Sequence, residues 1–593
     1  MNDRDIEDIL NKSDFDFSGN EDDNDYLPPE VVRALHQSDD SEEDEEENLT
    51  EAEPGRSAPL FWRTKEMRCR GPDIADDELV AQGTSEMNIL YCFFEYLGTE
   101  FWEMVAEQSN IYSAQKRDLK SLKTNSIEII HFAGMQLLMG TLKYPQGKLY
   151  WTRDLCVPII RDTMPRDRFF ELRNYLHFVD LNCPDTNDKL WKIRPIINPI
   201  LKKCHSLPRS KHMSIDEQMI PFAGRCEYRQ YVPSKPNPLG LKNFVLAARD
   251  GIVLDFEIYV GKDTISPEIM KNLGLGGGIV QTLCRTIESS CVLYTDRFFT
   301  SLKLAEHLIA NNNQIFLTGT VMTNRIGPVS TKLKPDKELQ RGAWDEKVRN
   351  DDNICIVKWK DTKAVTLLST CTGGEPATTC QRWCKVRKEK IDVTQPAVVK
   401  TYNTCMGGID LCDRLIAYYR SSMRTKKWTV RTFCHFLDLV VVNCWLMYMR
   451  CCKVENVESK HKLGLLQYRL NLAKALMKYD GGRVDPNFMR PGSRSQSSPG
   501  PSAVSNSKIT DVGCDEPPAK KNRAVVPHPL PETRLDNVGH LPRFIDSKNA
   551  SKCRHPTCSS KCRTMCVKCH VFLCILKNNC FESYHSNKNF GPH

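Results

Sequence analysis

Three aspartates set in apolar runs constrain this chain more than any other feature. The first, Asp216, lies inside Met213–Arg225 (MSIDEQMIPFAGR). By period-two counting Ser214, Asp216 and Gln218 share one strand face, and Met213, Ile215, Glu217 and Met219 the other. The second, Asp296, ends the apolar run Cys291–Thr295. The third, Asp410, lies in MGGIDLCD, three residues before Asp413 and on the same helical face. A carboxylate among apolar residues is costly unless a cation compensates it. Each acid also has a plain structural reading: Asp216 pairs with a core arginine, and Asp296 and Asp410 cap helices. Two strand aspartates and a later helix acid also make up a site for two divalent cations in phosphoryl transfer.

The surrounding pattern says what fold carries them. From Ser85, a candidate cap, apolar residues recur at three- and four-residue steps (Ile89, Leu90, Phe93, Phe94, Leu97, Phe101, Trp102). Thr124 to Leu142 and the stretch after Pro165 repeat the pattern; Lys189 to Cys204 does so with interruptions at Pro195 and Pro199. This predicts an all-α unit over 85–212. From 213 the pattern is one of strands, with Arg249-Asp250-Gly251 as a hairpin turn. Gly274-Leu275-Gly276-Gly277-Gly278 lacks the Lys-Ser/Thr of a phosphate loop and reads as a flexible connection before a helix at 279–287. Three strands, helix, strand, helix, strand is the order of an RNase H-like core. In that order the first and fourth strands are neighbours, so Asp216 and Asp296 meet.

The expected architecture is α+β and multidomain. A disordered acidic arm (1–84) precedes the first part of an all-α domain (85–212) and the RNase H-like core (213–325). A mostly β insertion (326–400) follows, then the end of the core with the third aspartate (401–414). The second part of the all-α domain (415–484), a disordered linker (485–550) and a Cys-rich zinc-binding domain (551–593) complete the chain. A chain of 593 residues is too long for one core. Its formal charge of +7 is uneven: residues 1–53 carry 21 acidic and three basic residues, leaving +25 on the rest. A basic body suggests a polyanion partner, and the acidic arm is either a solubilising tail or a DNA mimic. No apolar run follows the first Met or reaches the ~20 residues that span a bilayer, so no secretory signal and no membrane partner are expected.

Two further stretches carry chemistry. MRTKKWTVR (423–431), preceded by Arg420, offers Arg420, Arg424, Lys426, Lys427 and Arg431 as phosphate contacts, with Trp428 to pack or stack; a solvated helix face is the plain alternative. Of the 26 cysteines, seven lie in the last 41 residues. Cys553, Cys558, Cys566, Cys569, Cys574, Cys580 and His585, with Cys562 as eighth (His555 and His570 being alternatives), make two interleaved tetrahedral Zn²⁺ sites. So short a unit buries too little to fold without metal. Residues 520–523 (KKNR) resemble a nuclear import signal.

SIDEQM (214–219), TDRFFTS (295–301), GTV (319–321), MGGIDLCDRLIAYYR (406–420) and KKW (426–428) resemble, in order and spacing, the piggyBac transposase family. The resemblance covers about residues 85–450, with a Cys-rich tail as well. It implies a DDD-type cut-and-paste DNA transposase in which Asp216, Asp296 and Asp410 bind two Mg²⁺ and Asp413 is a further required acid. It also implies hairpin intermediates, integration at TTAA, and a nuclear homodimer on double-stranded DNA with terminal inverted repeats. In that family the helical region binds DNA and dimerises, and the Cys-rich domain binds transposon ends. The family usually has Asn after the second aspartate; here Arg297 stands there. A host-adopted, chromatin-associated DNA-binding protein without productive cleavage is the alternative.

Overall fold

A computed structural model describes residues 60–73, 83, 86–116, 120–233, 235–311, 314–384, 387–421, 425–482, 484, 534–535, 540–545, 550–575 and 579–586. The acidic run, the basic tetrad 520–523 and Arg424 lie outside the described residues. The chain divides into two compact units, Met1–Ser495 and Gln496–His593.

Helices open the larger unit: α1 (Ile89–Phe94), α2 (Thr99–Lys116), α3 (Ser126–Leu142), α4 (Pro158–Thr163), α5 (Arg166–Tyr175) and α6 (Arg194–Ser206). Asn88, not Ser85, caps α1, its side chain accepting from the Leu90 N–H at 2.9 Å. Neither proline breaks α6. Pro195 sits in the first turn, where an N–H has no intrahelical partner, and the helix continues through Pro199.

The strands are β1 (Trp62–Arg63), β2 (His212–Pro221), β3 (Arg229–Tyr231), β4 (Leu239–Ala248), β5 (Val253–Ile258), β6 (Cys291–Thr295), β7 (Ile315–Thr320), β8 (Trp344–Arg349), β9 (Cys355–Lys360) and β10 (Ala364–Ser369). They form one mixed sheet in the order β1-β8-β9-β10-β7-β6-β2-β4-β3, with β5 also on β4. The first and fourth core strands, β2 and β6, are parallel neighbours as expected, and β7 runs parallel to β6. The expected separate insertion is instead partly an extension of this sheet, because β10 pairs antiparallel with β7. Without it β7 would be an edge with unpaired backbone groups. The acidic arm is also shorter than expected. Residues 60–73 are ordered onto this extension: β1 pairs with β8, and Lys65 reaches Asp352 at 2.6 Å.

Between β5 and β6 lies α7 (Pro267–Cys284), kinked at Gly274 (φ 66°). Of the glycines read as a link, Gly274 has non-helical dihedrals and joins two helical segments, while Gly276, Gly277 and Gly278 lie in the second of them. A Cβ on Gly276 would stand 2.4 Å from the Phe298 carbonyl oxygen, so the glycine allows close helix–turn packing just after Asp296.

α8 (Leu302–Ala310) lies between β6 and β7, and after the sheet come α9 (Ala397–Cys405), α10 (Gly408–Tyr419), α11 (Trp428–Val454) and α12 (Leu465–Met477). α12 lies on α3, so helices from before and after the sheet share one core. α11 is long and apolar enough to cross a membrane by length and composition, contrary to the expectation that no such run exists, but 89% of that window is buried in protein. Its Asp438 meets Arg469 of α12 at 2.7 Å with both side chains at most 3% exposed. Removing one partner of such a pair costs about 3–5 kcal/mol, which makes it a specific lock between the helices. The turn residue Asp250 pairs with Arg450 of α11 at 2.7 Å, tying sheet to helices.

Candidate active site and metal-ligand clusters

Strand register brings the first two acids together. Ile215 of β2 lies opposite Thr295, the last residue of β6, so Asp216 stands beside the point where the chain reaches Asp296. Asp296 does not cap α8. Its carboxylate accepts from the Phe298 N–H at 2.9 Å, within the turn, and Ser301 supplies the cap. Among the described residues Asp216 pairs with no arginine; its Oδ1 accepts from the Glu217 N–H at 2.7 Å. Burial pushes its carboxyl up to about 7, against the opposing pull of Lys235, and Asp296 adds repulsion. Burial likewise raises the Asp296 carboxyl.

α10 delivers the other two acids. A Cβ on Gly408 would meet the Ala248 carbonyl oxygen at 2.5 Å and Ser214 Oγ at 3.0 Å. Only glycine lets the first turn of α10 settle on β2 and β4, two residues before Asp410. Asp410 is exposed, while Asp413, one turn on, is half-buried. Gln218 Nε2 donates to Asp413 Oδ1 at 2.6 Å, and Gln218 Oε1 faces His435 Nε2 at 2.9 Å and Asn243 Nδ2 at 3.3 Å. Since the amide gives its proton to Asp413, its oxygen accepts, and the His435 proton is on Nε2. Burial pushes the Asp413 carboxyl up to about 6, opposed by the Gln218 hydrogen bond and Arg420. Tyr402 of α9 lies within electrostatic reach of Asp216, Asp296 and Asp410 together.

Burial, aided by Arg420 and Arg431, lowers His435 to about 3 and keeps it neutral; burial lowers His177 to about 4. Both sit below the unfolded value of about 6.5, so their contribution is full above pH 6.5 and is lost as pH falls toward 3. Denaturant midpoints should drop across that window, by up to about 1.4 kcal/mol per pH unit per histidine, and His435→Gln should flatten the slope. An unchanged pH profile in His435→Gln would show that the ring is not held neutral.

The basic segment is used partly within the fold. Arg431 donates to the Ser421 carbonyl at 3.2 Å. Lys427 reaches the Asn174 carbonyl at 2.5 Å and lies over the Tyr112 ring. Arg420 is half-buried, facing Asp413 and Asp438. Lys426 is exposed.

The smaller unit holds β13 (Pro542–Phe544) on β16 (Thr564–Cys566), β14 (Ser551–Lys552) on β15 (Lys561–Cys562), and α13 (Cys580–Ser586). Two four-residue groups form, each with ligand atoms within 4.8 Å of one another: Cys553, Cys558, Cys574, Cys580, and His540, Cys566, Cys569, His585. In the second, His540 Nδ1 lies 3.5 Å from Cys566 Sγ and 3.4 Å from Cys569 Sγ, and His585 Nε2 lies 3.5 Å from Cys569 Sγ. Tetrahedral zinc separates such ligands by about 3.5–3.8 Å, so the donors fit that ion. His585 Nδ1 donates to the Phe581 carbonyl at 2.7 Å, leaving Nε2 free for metal. Seven of the expected ligands are gathered, but Cys562 is not. Its Sγ faces the Thr564 carbonyl, and His540 completes the second group. Neither His555 nor His570 is a member. His540 falls in the expected linker, so the ordered unit starts before residue 551.

The Transposase IS4 family profile matches residues 88–445, 60% of the chain. The chain belongs to this family. Among curated human proteins, PiggyBac transposable element-derived protein 3 is 31% identical over 363 residues, 60% of each chain. PiggyBac transposable element-derived protein 2 is 27% identical over 458 residues, 73% of this chain and 75% of that one. The fold is similar to a piggyBac transposase solved by cryo-EM as a synaptic complex with hairpin DNA, with TM-score 0.57 and 23% identity over 69% of this chain and 82% of that chain.

In this piggyBac-type chain, Arg297 is exposed beside Asp296, with its carbonyl 3.4 Å from Arg325. The three aspartates are drawn together less tightly than the Cys/His groups, being absent from the clusters within 4.8 Å among the described residues. Sequence reading missed Lys235, Tyr402 and His435, which come from a loop, a connecting helix and a core helix. Gln218 carried a signal: it shares the strand face of Asp216.

Proposed function

We propose that the protein is a DDD-type DNA transposase with an RNase H-like core. What supports this reading is the β2–β6 register, which sets Asp216 beside the turn at Asp296, together with the packing of Gly408 on β2 and β4 two residues before Asp410. Hard carboxylate oxygens, buried enough that Asp216 is pushed up to about 7, are the donor set that Mg²⁺ suits. Asp216, Asp296 and Asp410 would hold two Mg²⁺ ions, which when bound activate a water or 3′-OH and stabilise the leaving oxygen. Asp413 is kept in place by Gln218, which His435 and Asn243 orient in turn. Lys235, 3.1 Å from the Glu217 carbonyl, offsets the negative charge of the cluster before metal and DNA arrive.

The resemblance extends the reading to hairpin intermediates, TTAA targets, terminal inverted repeats, a homodimer that joins two ends, nuclear action, and two structural Zn²⁺ in the end-binding tail. Purified protein with its terminal-repeat duplex and Mg²⁺ should nick the ends, and Asp296→Asn should not. Specific end binding without any nicking would instead favour a host-adopted DNA-binding protein, a reading supported by Arg297 and by the transposable element-derived human relatives.

A further inference from the structure

We propose that the ribbon formed by β11 (Thr378–Cys384) and β12 (Glu389–Gln395) is a DNA-contacting arm beside the acid cluster. The inference rests on the DNA reading above and adds the element that holds the duplex. Among the described residues the ribbon's two strands pair with each other alone, in a seven-residue register from Thr378 opposite Gln395 to Cys384 opposite Glu389. Two strands alone are marginal in water, so its base must be anchored. Arg382 Nε lies 3.0 Å from Asp361, which Arg341 also holds at 2.8 Å. Trp359 Nε1 donates to the Thr394 carbonyl at 2.9 Å, and Val393 enters the small core with Trp359.

The inward face explains the anchoring; among the described residues the outward face is exposed along both strands. Thr379, Gln381 and Trp383 point outward opposite Thr394, Asp392 and Lys390. Trp383 is 59% exposed, opposite exposed Lys390, and Arg387 and Lys388 are exposed at the turn. Residues 378–395 carry five Lys/Arg against two acids. A large ring left in water among cations suits a partner that offers both negative charge and flat aromatic or sugar surface. Nucleic acid offers both, and a two-stranded ribbon fits a major groove about 12 Å wide. Position supports the same partner. β12 ends one residue before α9, and Tyr402 lies seven residues past Gln395, about 10 Å along the chain. Each seven-residue strand is about 23 Å long, roughly the length of seven base pairs of duplex, so the outward face can lie along a groove.

The test uses the full chain and a fluorescein-labelled 40-bp duplex, read by anisotropy over a range of KCl concentrations. Replacing Arg387, Lys388 and Lys390 together by Ala should flatten the slope of log affinity against log salt by about 2.7, the share of three phosphate contacts. Trp383→Ala should weaken binding with the slope kept, because the ring packs on sugar and base edges and carries no charge. Glu389→Gln with Asp392→Asn should tighten it. Unchanged thermal melting confirms that these exposed substitutions leave the fold intact. If wild type binds and the triple variant binds with the same affinity and slope, the arm is overturned while the DNA reading stands. If wild type itself does not bind the duplex at low salt, the DNA reading falls and takes the arm with it.

Discussion

Asp216→Asn is expected to abolish metal-dependent strand cleavage while making the magnesium-free protein more stable. The amide keeps the size of the side chain but loses the charge that divalent ions require, so cleavage should fall by at least about a thousandfold. Stability moves the other way because the carboxylate lies in a buried position beside a second acid, where burial pushes it from 3.8 up to about 7. A carboxyl raised on folding favours the folded state below its unfolded value, and that advantage is lost as pH rises through 7. Three units correspond to about 4 kcal/mol, so the wild type should weaken between pH 4 and 8 in magnesium-free buffer. The variant should hold a flatter profile. Single-turnover cleavage and denaturant melts at pH 5 and 8 test both halves. Cleavage near the wild-type rate would remove Asp216 from the chemistry.

The second large effect concerns the C-terminal unit. Purified protein should carry two equivalents of zinc, and their removal should unfold this unit, since structural zinc contributes about 10–16 kcal/mol to a domain of this kind. His540→Ala should release one equivalent and expose the unit to protease. Cys562→Ser should release none, because its Sγ faces the Thr564 carbonyl rather than a ligand group. Metal analysis with limited proteolysis decides it. Equal zinc loss in the two variants would show that Cys562 shares a site.

His540 shows where reading from composition fails. The cysteine density marks the tail, but this ligand stands 13 residues before Cys553, in a stretch whose Pro, Ser and Gly content reads as linker. It joins the cluster only because β13 pairs with β16 and sets Pro542, two residues after His540 and inside the expected linker, opposite Cys566. The insertion fails similarly: its strands are visible as short apolar runs, whereas their attachment to β7 depends on a free sheet edge elsewhere in the chain.

The residues alone therefore determined the acids, the order of strands and helices around them, the helical flanks and the thiol-rich tail. Those properties follow from local periodicity and from the cost of placing charge among apolar neighbours. Only the tertiary structure decided that Gly408 lets α10 close on β2, that Gln218 and His435 hold Asp413, and that His540 takes the place expected for Cys562. Each of these depends on contacts between segments distant in the chain. Such contacts are set by strand register and shape, for which a linear pattern carries no signal.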